Sequence, residues 1–179
     1  MKFTELSLSG AFLVELEPHA DERGFFARAY SAREFRDHSL RDDLTEISLS
    51  RNLKAGTLRG MHFQRPPHEE TKLVRVIRGR AFDVIVDIRK DSPTRGRWLG
   101  FELSSDNGQA LYIPGGFAHG FLTLEDQTDV LYQITDTFHA GAADGFAWND
   151  PTVAIKWPRT PTIISAADQS RPKSRIAEH

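Results

Sequence analysis

Lys72-Leu73-Val74-Arg75-Val76-Ile77-Arg78 and Arg80-Ala81-Phe82-Asp83-Val84-Ile85-Val86-Asp87, two runs parted by the single Gly79, decide the fold class. Each has the length of a strand and is rich in β-branched residues, and the lone glycine between them is a turn signal. In the second run Phe82, Val84 and Val86 fall on one face and Asp83, Ile85 and Asp87 on the other. A carboxylate on an otherwise apolar face reads as the wall of a cavity or as an exposed outer sheet face, and periodicity alone leans to the second. The same grammar extends in both directions. Upstream lie Ala11–Glu17, Gly24–Tyr30, Glu46–Asn52 and Thr57–Phe63; downstream lie Trp98–Leu103, Gln109–Ile113, Gly120–Leu124 and Asp129–Thr135. About ten short strands bounded by Gly, Pro, Asn and Asp predict an all-β jelly-roll sandwich or barrel.

Helix is scarce. Only Ser31–Leu40 reads as helical, with Ser31 as cap and Glu34 three residues on, as in a capping box. From Asp150 the chain carries Pro151, Pro158, Pro161 and Pro172, which predicts an extended tail wrapping the surface. The expected layout is one domain over residues 1–179, with a core from about 10 to 150 and a C-terminal wrap over 151–179. Open sheets have edges to protect, so a homodimer formed by strand exchange or sheet extension is expected.

Composition removes several function classes. With 23 Lys+Arg against 25 Asp+Glu the net charge is only −2, so neither nucleic acid nor an anionic membrane is an expected partner. There is no cysteine, which excludes disulfide and thiolate chemistry. The opening MKFTELSLSG lacks a signal-peptide pattern and no apolar run approaches membrane-spanning length, so the expected location is cytoplasmic.

Two histidines stand out by their glycine-rich surroundings: His62 in Arg59-Gly60-Met61-His62-Phe63-Gln64, and His119 in Gly115-Gly116-Phe117-Ala118-His119-Gly120. Each is a candidate base at neutral pH, although a histidine so placed is more often a core residue with both nitrogens satisfied. Arg23 and Arg59 are candidate diphosphate clamps, Lys72 a candidate stabiliser of negative oxygen and Tyr132 a candidate proton donor. The plain alternatives are solvated turn residues for the cations and packing for the tyrosine.

Pro114, Gly116 and His119 fit the second motif of cupins, Pro-x-Gly-x-x-His. The first motif is recognisable from Gly79 back through Lys72, His68 and Pro66, but Lys72 stands where metal-binding cupins carry a glutamate and Pro66 where they carry a histidine. An ammonium cannot ligate a metal and repels one. A catalytic metal is therefore not expected, which argues against a metal-dependent oxygenase or isomerase. A non-catalytic carbohydrate-binding jelly roll stays open.

The runs RGMHFQ, KLVRVIRGRAFDVIVDIRKDSPTRGRW, IPGGFAHGF and WNDP, in order from DERGFF at Asp21 to the ISAADQSRP that ends at Pro172, closely resemble the dTDP-4-dehydrorhamnose 3,5-epimerase family. The resemblance implies a dimeric cupin-type jelly roll without metal or redox cofactor, acting on a nucleotide-diphosphate sugar in dTDP-L-rhamnose or related deoxysugar synthesis. It implies epimerisation at carbon 3, carbon 5 or both, beside a ketone that acidifies their protons. By motif position it implies His62 as base, Tyr132 as opposite-face acid, Lys72 as enolate stabiliser and Asp168 as the carboxylate that orients His62 and raises its basicity. Arg23, Arg59, Phe26 and His119 resemble substrate ligands, with Asp83 supporting the polar network. The chain departs from the family pattern in three places. Arg28 replaces a glutamate, Phe138 replaces an aromatic hydroxyl, and Glu46-Ile47-Ser48-Leu49-Ser50 replaces a Gln-x-Asn pair, with Ile47 and Leu49 read as the changed residues. A different nucleotide sugar is one implied outcome.

Overall fold

The computed structural model describes residues 1–176. Two sheets face each other. The first runs in the order β1(Lys2–Glu5), β2(Phe12–Glu15), β10(Ala110–Ile113), β7(Lys72–Arg78), β12(Thr128–Ile134), β5(Glu46–Asn52). The second runs β13(Ala143–Gly145), β6(Thr57–Gln64), β11(Phe117–Thr123), β8(Arg80–Asp87), β9(Trp98–Ser104), with β14(Ile163–Ile164) parallel to β6. Strands β3(His19–Asp21) and β4(Gly24–Phe26) form a separate hairpin. Two sheets of crossing-over antiparallel strands make the expected jelly roll.

The two opening runs fold as read, with Lys72–Arg78 and Arg80–Asp87 as the boundaries of β7 and β8. Gly79 joins them at φ 72°, a left-handed conformation that a side chain would strain. Between the sheets lies an apolar core that includes Val74, Val76, Ile85, Leu111, Phe121 and Val130. Burying one such side chain fully stabilises the fold by roughly 1.5–3 kcal/mol. The backs of the sheets are covered too. Helix α1(Ala32–Asp37) packs Phe35 against Leu73 and Tyr112 of the first sheet. Val153, Ile155 and Trp157 from the tail cover Met61, Val84 and Val86 of the second.

The leaning toward an exposed face for Asp83 and Asp87 is corrected, because they share the face of Ile85, which belongs to the core between the sheets. Both are 0% exposed. Asp87 accepts hydrogen bonds from Arg89, Ser92 and Thr94 at 2.7, 2.5 and 2.6 Å. Burial alone would raise its pKa, but these donors hold it at about 2.

The helix is shorter than Ser31–Leu40, and only half of the capping box forms. Ser31 Oγ accepts from the Glu34 backbone N–H, whereas the Glu34 carboxylate turns to the N-terminal ammonium at 2.7 Å. The tail is also more ordered than a surface wrap. Thr162 and Ile163 both donate to the Gly56 carbonyl, β14 pairs with β6, and α2(Ala166–Gln169) follows under the Ser165 cap. The last part of the expected wrap, 177–179, lies outside the described residues.

Strands β6 and β11 meet through a bulge. His119 pairs with His62 and Phe121 with Arg59, so three steps along β6 oppose two along β11. The extra residue turns Arg59 and His62 onto the same side, which strict alternation would forbid. Gly60 makes this possible. Its φ is 136°, and a Cβ there would lie 2.6 Å from the Gly120 Cα. Gly60→Ala is expected to lower unfolding free energy by about 1–3 kcal/mol in a denaturant titration. Gly141→Ala, where a Cβ meets nothing within 4 Å, is expected to stay within about 0.5 kcal/mol of the parent. Equal effects at the two positions would count against the bulge as a strained, sequence-specific feature.

Candidate active site

A cavity of about 450 Å³ opens at one end of the sandwich, between the inner faces of the two sheets. His62, Arg59 and His119 enter it from β6 and β11 of the second sheet, and Lys72 and Tyr132 from β7 and β12 of the first. Phe138, in the loop after β12, stands at the rim. Six of the residues expected from sequence therefore share one cavity, although 79 positions separate the outermost two (138 − 59).

His62 is held from behind. Its Nε2 lies 2.6 Å from Asp168 Oδ1, a carboxylate in α2 that is almost fully buried. A carboxylate can only accept, so Nε2 carries the proton and Nδ1 is left as the basic nitrogen. Asp168 is positioned by Ser165, whose Oγ accepts from the Asp168 backbone N–H at 3.1 Å. Asp168 acts to raise the basicity of His62, but burial outweighs it. Although 42% of the side chain opens to the cavity, burial in the surrounding protein is the larger influence and lowers its pKa. The hydrogen bond and charge of Asp168 work the other way, and Arg171 and Lys72 add to the lowering. The outcome suits a general base, because the imidazole is neutral at neutral pH.

The second histidine is a structural pair. His119 Nε2 sits 2.9 Å from both oxygens of Asp83, and both residues are buried. Asp83 does not line the cavity but fixes His119 from within the core. The His119 ring meets the Tyr132 ring edge-on at 5.9 Å and 76°. Burial pushes the Tyr132 hydroxyl well above its ordinary pKa, with Asp83 adding to the rise and Arg59 opposing it. Tyr132 is therefore a protonated acid across the neutral range. His62 and Tyr132 hang from opposing sheets and line the same cavity.

Lys72 Nζ is 2.7 Å from Glu70, and only a tenth of its side chain is exposed. Arg59 Nε donates to Asn52 Oδ1 at 2.9 Å, which leaves its terminal nitrogens at the mouth for an anion. Sequence reasoning missed Glu70, Gln64, Ser48, Ser50, Asp144 and Arg171, all on the cavity wall. Glu70 had a signal, an acid two residues before an unusually placed lysine. Gln64 also had one, since it follows His62 by two residues on the same strand face; Arg171 had none, because the tail brings it in.

Three of the expected residues lie away from the cavity of their own chain. Arg23 is exposed on the β3–β4 hairpin and paired with Asp21 at 2.5 Å. Phe26 and Arg28 border a small separate cleft with Met1, Glu17 and His19, and Arg28 bonds Glu34. Among the described residues the hairpin pairs only with itself, and none of these three side chains lines the cavity. On β5, Ile47 and Leu49 point outward, while Ser48 and Ser50 line the cavity beside Tyr132 and Val130. The residues that change the wall are thus two small hydroxyls rather than the apolar pair.

With this geometry in place, the comparisons with known proteins are direct. The pattern of the dTDP-4-dehydrorhamnose 3,5-epimerase family matches residues 5–175. The chain is 40% identical to the dTDP-4-dehydrorhamnose 3,5-epimerase of Sinorhizobium fredii, across 96% of this chain and 89% of that one. It superimposes with a TM-score of 0.94 on the crystal structure of the Bacillus anthracis enzyme of that name, which has TDP and pyrophosphate bound; identity is 40% and coverage 97% and 99%. A 3'-monoepimerase from Streptomyces bikiniensis in complex with dTDP-quinovose superimposes with a TM-score of 0.89, at 28% identity and coverage of 97% and 87%. Sequence pattern, fold and close relatives agree, and the chain belongs to the dTDP-4-dehydrorhamnose 3,5-epimerase family.

Proposed function

We propose that this protein inverts carbons 3 and 5 of a dTDP-linked 4-keto-6-deoxyhexose through an enolate, as a step toward dTDP-L-rhamnose or a related deoxysugar. The observation that carries the reading is the opposition of the Asp168-held His62 and the protonated Tyr132 across one cavity. A proton beside the carbon-4 ketone passes to His62 Nδ1, the electron pair moves to the ketone oxygen, and Tyr132 returns a proton to the other face. Lys72 stabilises the oxygen as it gains charge, and Glu70 holds the ammonium in place. Arg59 takes the diphosphate, and Phe138 stacks on the base without the hydrogen bond that a tyrosine would supply. Residues 1–179 serve as one catalytic unit, because Asp168 of the tail completes a site built on the sandwich.

The same reading includes a homodimer. Strand β5 is an edge strand whose outward residues Ile47 and Leu49 are 67% and 56% exposed. Strand β7, on the far side of β12, adds Ile77, and the hairpin presents Phe25 and Phe26. A second copy covers this apolar face, and its hairpin brings Arg23 and Phe26 to the partner's cavity, where they act on the substrate as expected from sequence. The paired variant Ile47→Glu with Leu49→Glu is expected to sediment as a monomer in analytical ultracentrifugation. An unchanged dimer, or a parent chain that is already monomeric, would contradict the assignment of this face.

The roles of His62 and Asp168 are tested by kinetics. Since burial lowers the His62 pKa, the acid limb of kcat/KM is expected below the ordinary histidine value of about 6.5. Asp168→Asn removes the contributions that raise that pKa, so the limb should move further down while the maximal rate falls about 10²–10⁴-fold. A limb above 6.5 in the parent, or full turnover in the variant, would overturn these roles.

A further inference from the structure

Outside the cavity, His68, Asp136 and His139 form a cluster whose donor atoms all lie within 4.8 Å of one another. The two rings stack at 3.6 Å with a tilt of 25°, and His68 Nδ1 is 3.9 Å from Asp136 Oδ2. All three side chains are partly buried, so they are neither loose on the surface nor packed beyond reach. They come from two segments, the turn after β6 and the loop after β12.

Both segments hang on one side chain. Buried Gln64 accepts from the His139 backbone N–H at 2.7 Å and donates to the carbonyls of His68 and Thr137, each at 3.2 Å. Pro66 and Pro67 stiffen the turn ahead of His68. The donors are therefore held near one another by a buried frame. The nearest cation on that wall, Arg65, is engaged by Asp144 at 3.6 Å and by the Gly141 carbonyl. Its charge is partly met before any ion arrives.

We propose that His68, Asp136 and His139 form a binding site for a divalent transition metal of the zinc, copper or nickel class, which cross-links the two segments at the rim of the cavity. Two imidazoles and one carboxylate suit these ions, and not magnesium or calcium. Bonds of about 2.0–2.2 Å set donors roughly 3.4 Å apart, so the donors must draw in and the two stacked rings must turn until a nitrogen of each faces one ion. The fourth position is left to water. The ion is structural and takes no part in the proton transfers of His62 and Tyr132. It joins the loop that carries Phe138 to the turn that leads to Glu70, so its occupancy stiffens the frame on which Lys72 and the base-stacking ring sit.

The site is tested on tag-free protein stripped of metal and titrated with Co²⁺ and Zn²⁺ at neutral pH. One equivalent of Co²⁺ should bind with the visible absorption of a low-coordinate N/O site, and Zn²⁺ should displace it and raise the melting temperature. His68→Ala and His139→Ala should each weaken binding at least about tenfold and remove the rise in melting temperature. His38→Ala, at an exposed histidine elsewhere, should leave both unchanged. In metal-free buffer His68→Ala should fold and turn over like the parent, so a lost metal signal is not lost structure. Absence of saturable binding, or binding that survives both substitutions, would overturn the proposal.

Discussion

The hydrogen bond from His62 Nε2 to Asp168 Oδ1 is the constraint on which the rest of the site depends. It joins residues 106 positions apart, one on a central strand and the other in a four-residue helix near the end of the tail. So short a helix is not stable alone. It stands because β14 pairs with β6, Ser165 caps the turn, and the Ala147 N–H bonds the Pro172 carbonyl. Tail docking and base orientation are thus one event. The same bond fixes the imidazole tautomer, which a base with a single free nitrogen requires.

A second consequence concerns acidity. A carboxylate beside an imidazole ordinarily makes it a stronger base, but here burial and the cations Arg171 and Lys72 outweigh Asp168. A base that is neutral at neutral pH is ready to accept a proton, and Asp168 then stabilises the imidazolium that forms. Tyr132 is shifted the opposite way by the same burial. Burial therefore leaves one group a neutral imidazole and the other a protonated phenol.

Much of this was legible in the sequence, for identifiable reasons. Strands β5, β7 and β8 have the read boundaries because β-branched runs with clear punctuation encode strands locally. His62, Lys72 and His119 were legible because long ordered motifs carry them, and Tyr132 because it stands in mid-strand in a clear β run. Strand β14 and helix α2 were not, since a parallel two-residue pairing leaves no local pattern. On β5 Ile47 and Leu49 were read as the changed residues, but they face out and Ser48 and Ser50 face the cavity, a choice of face that the run EISLS does not settle locally. Arg23, Phe26 and Arg28 were assigned to a site that their own chain does not bring them to, because a motif records a residue's role and not the fold path that delivers it.

The central claim, that His62 and Tyr132 exchange protons on both sides of a ketone, is tested most directly by deuterium uptake. The protein would be incubated in heavy water with dTDP-4-keto-6-deoxyglucose, and the sugar followed by mass and proton spectra. The account predicts deuterium at carbon 3 and at carbon 5, absent in His62→Ala even though that variant still binds dTDP. Label that persists in His62→Ala, or no label in the parent protein with the nucleotide sugar bound, would contradict it.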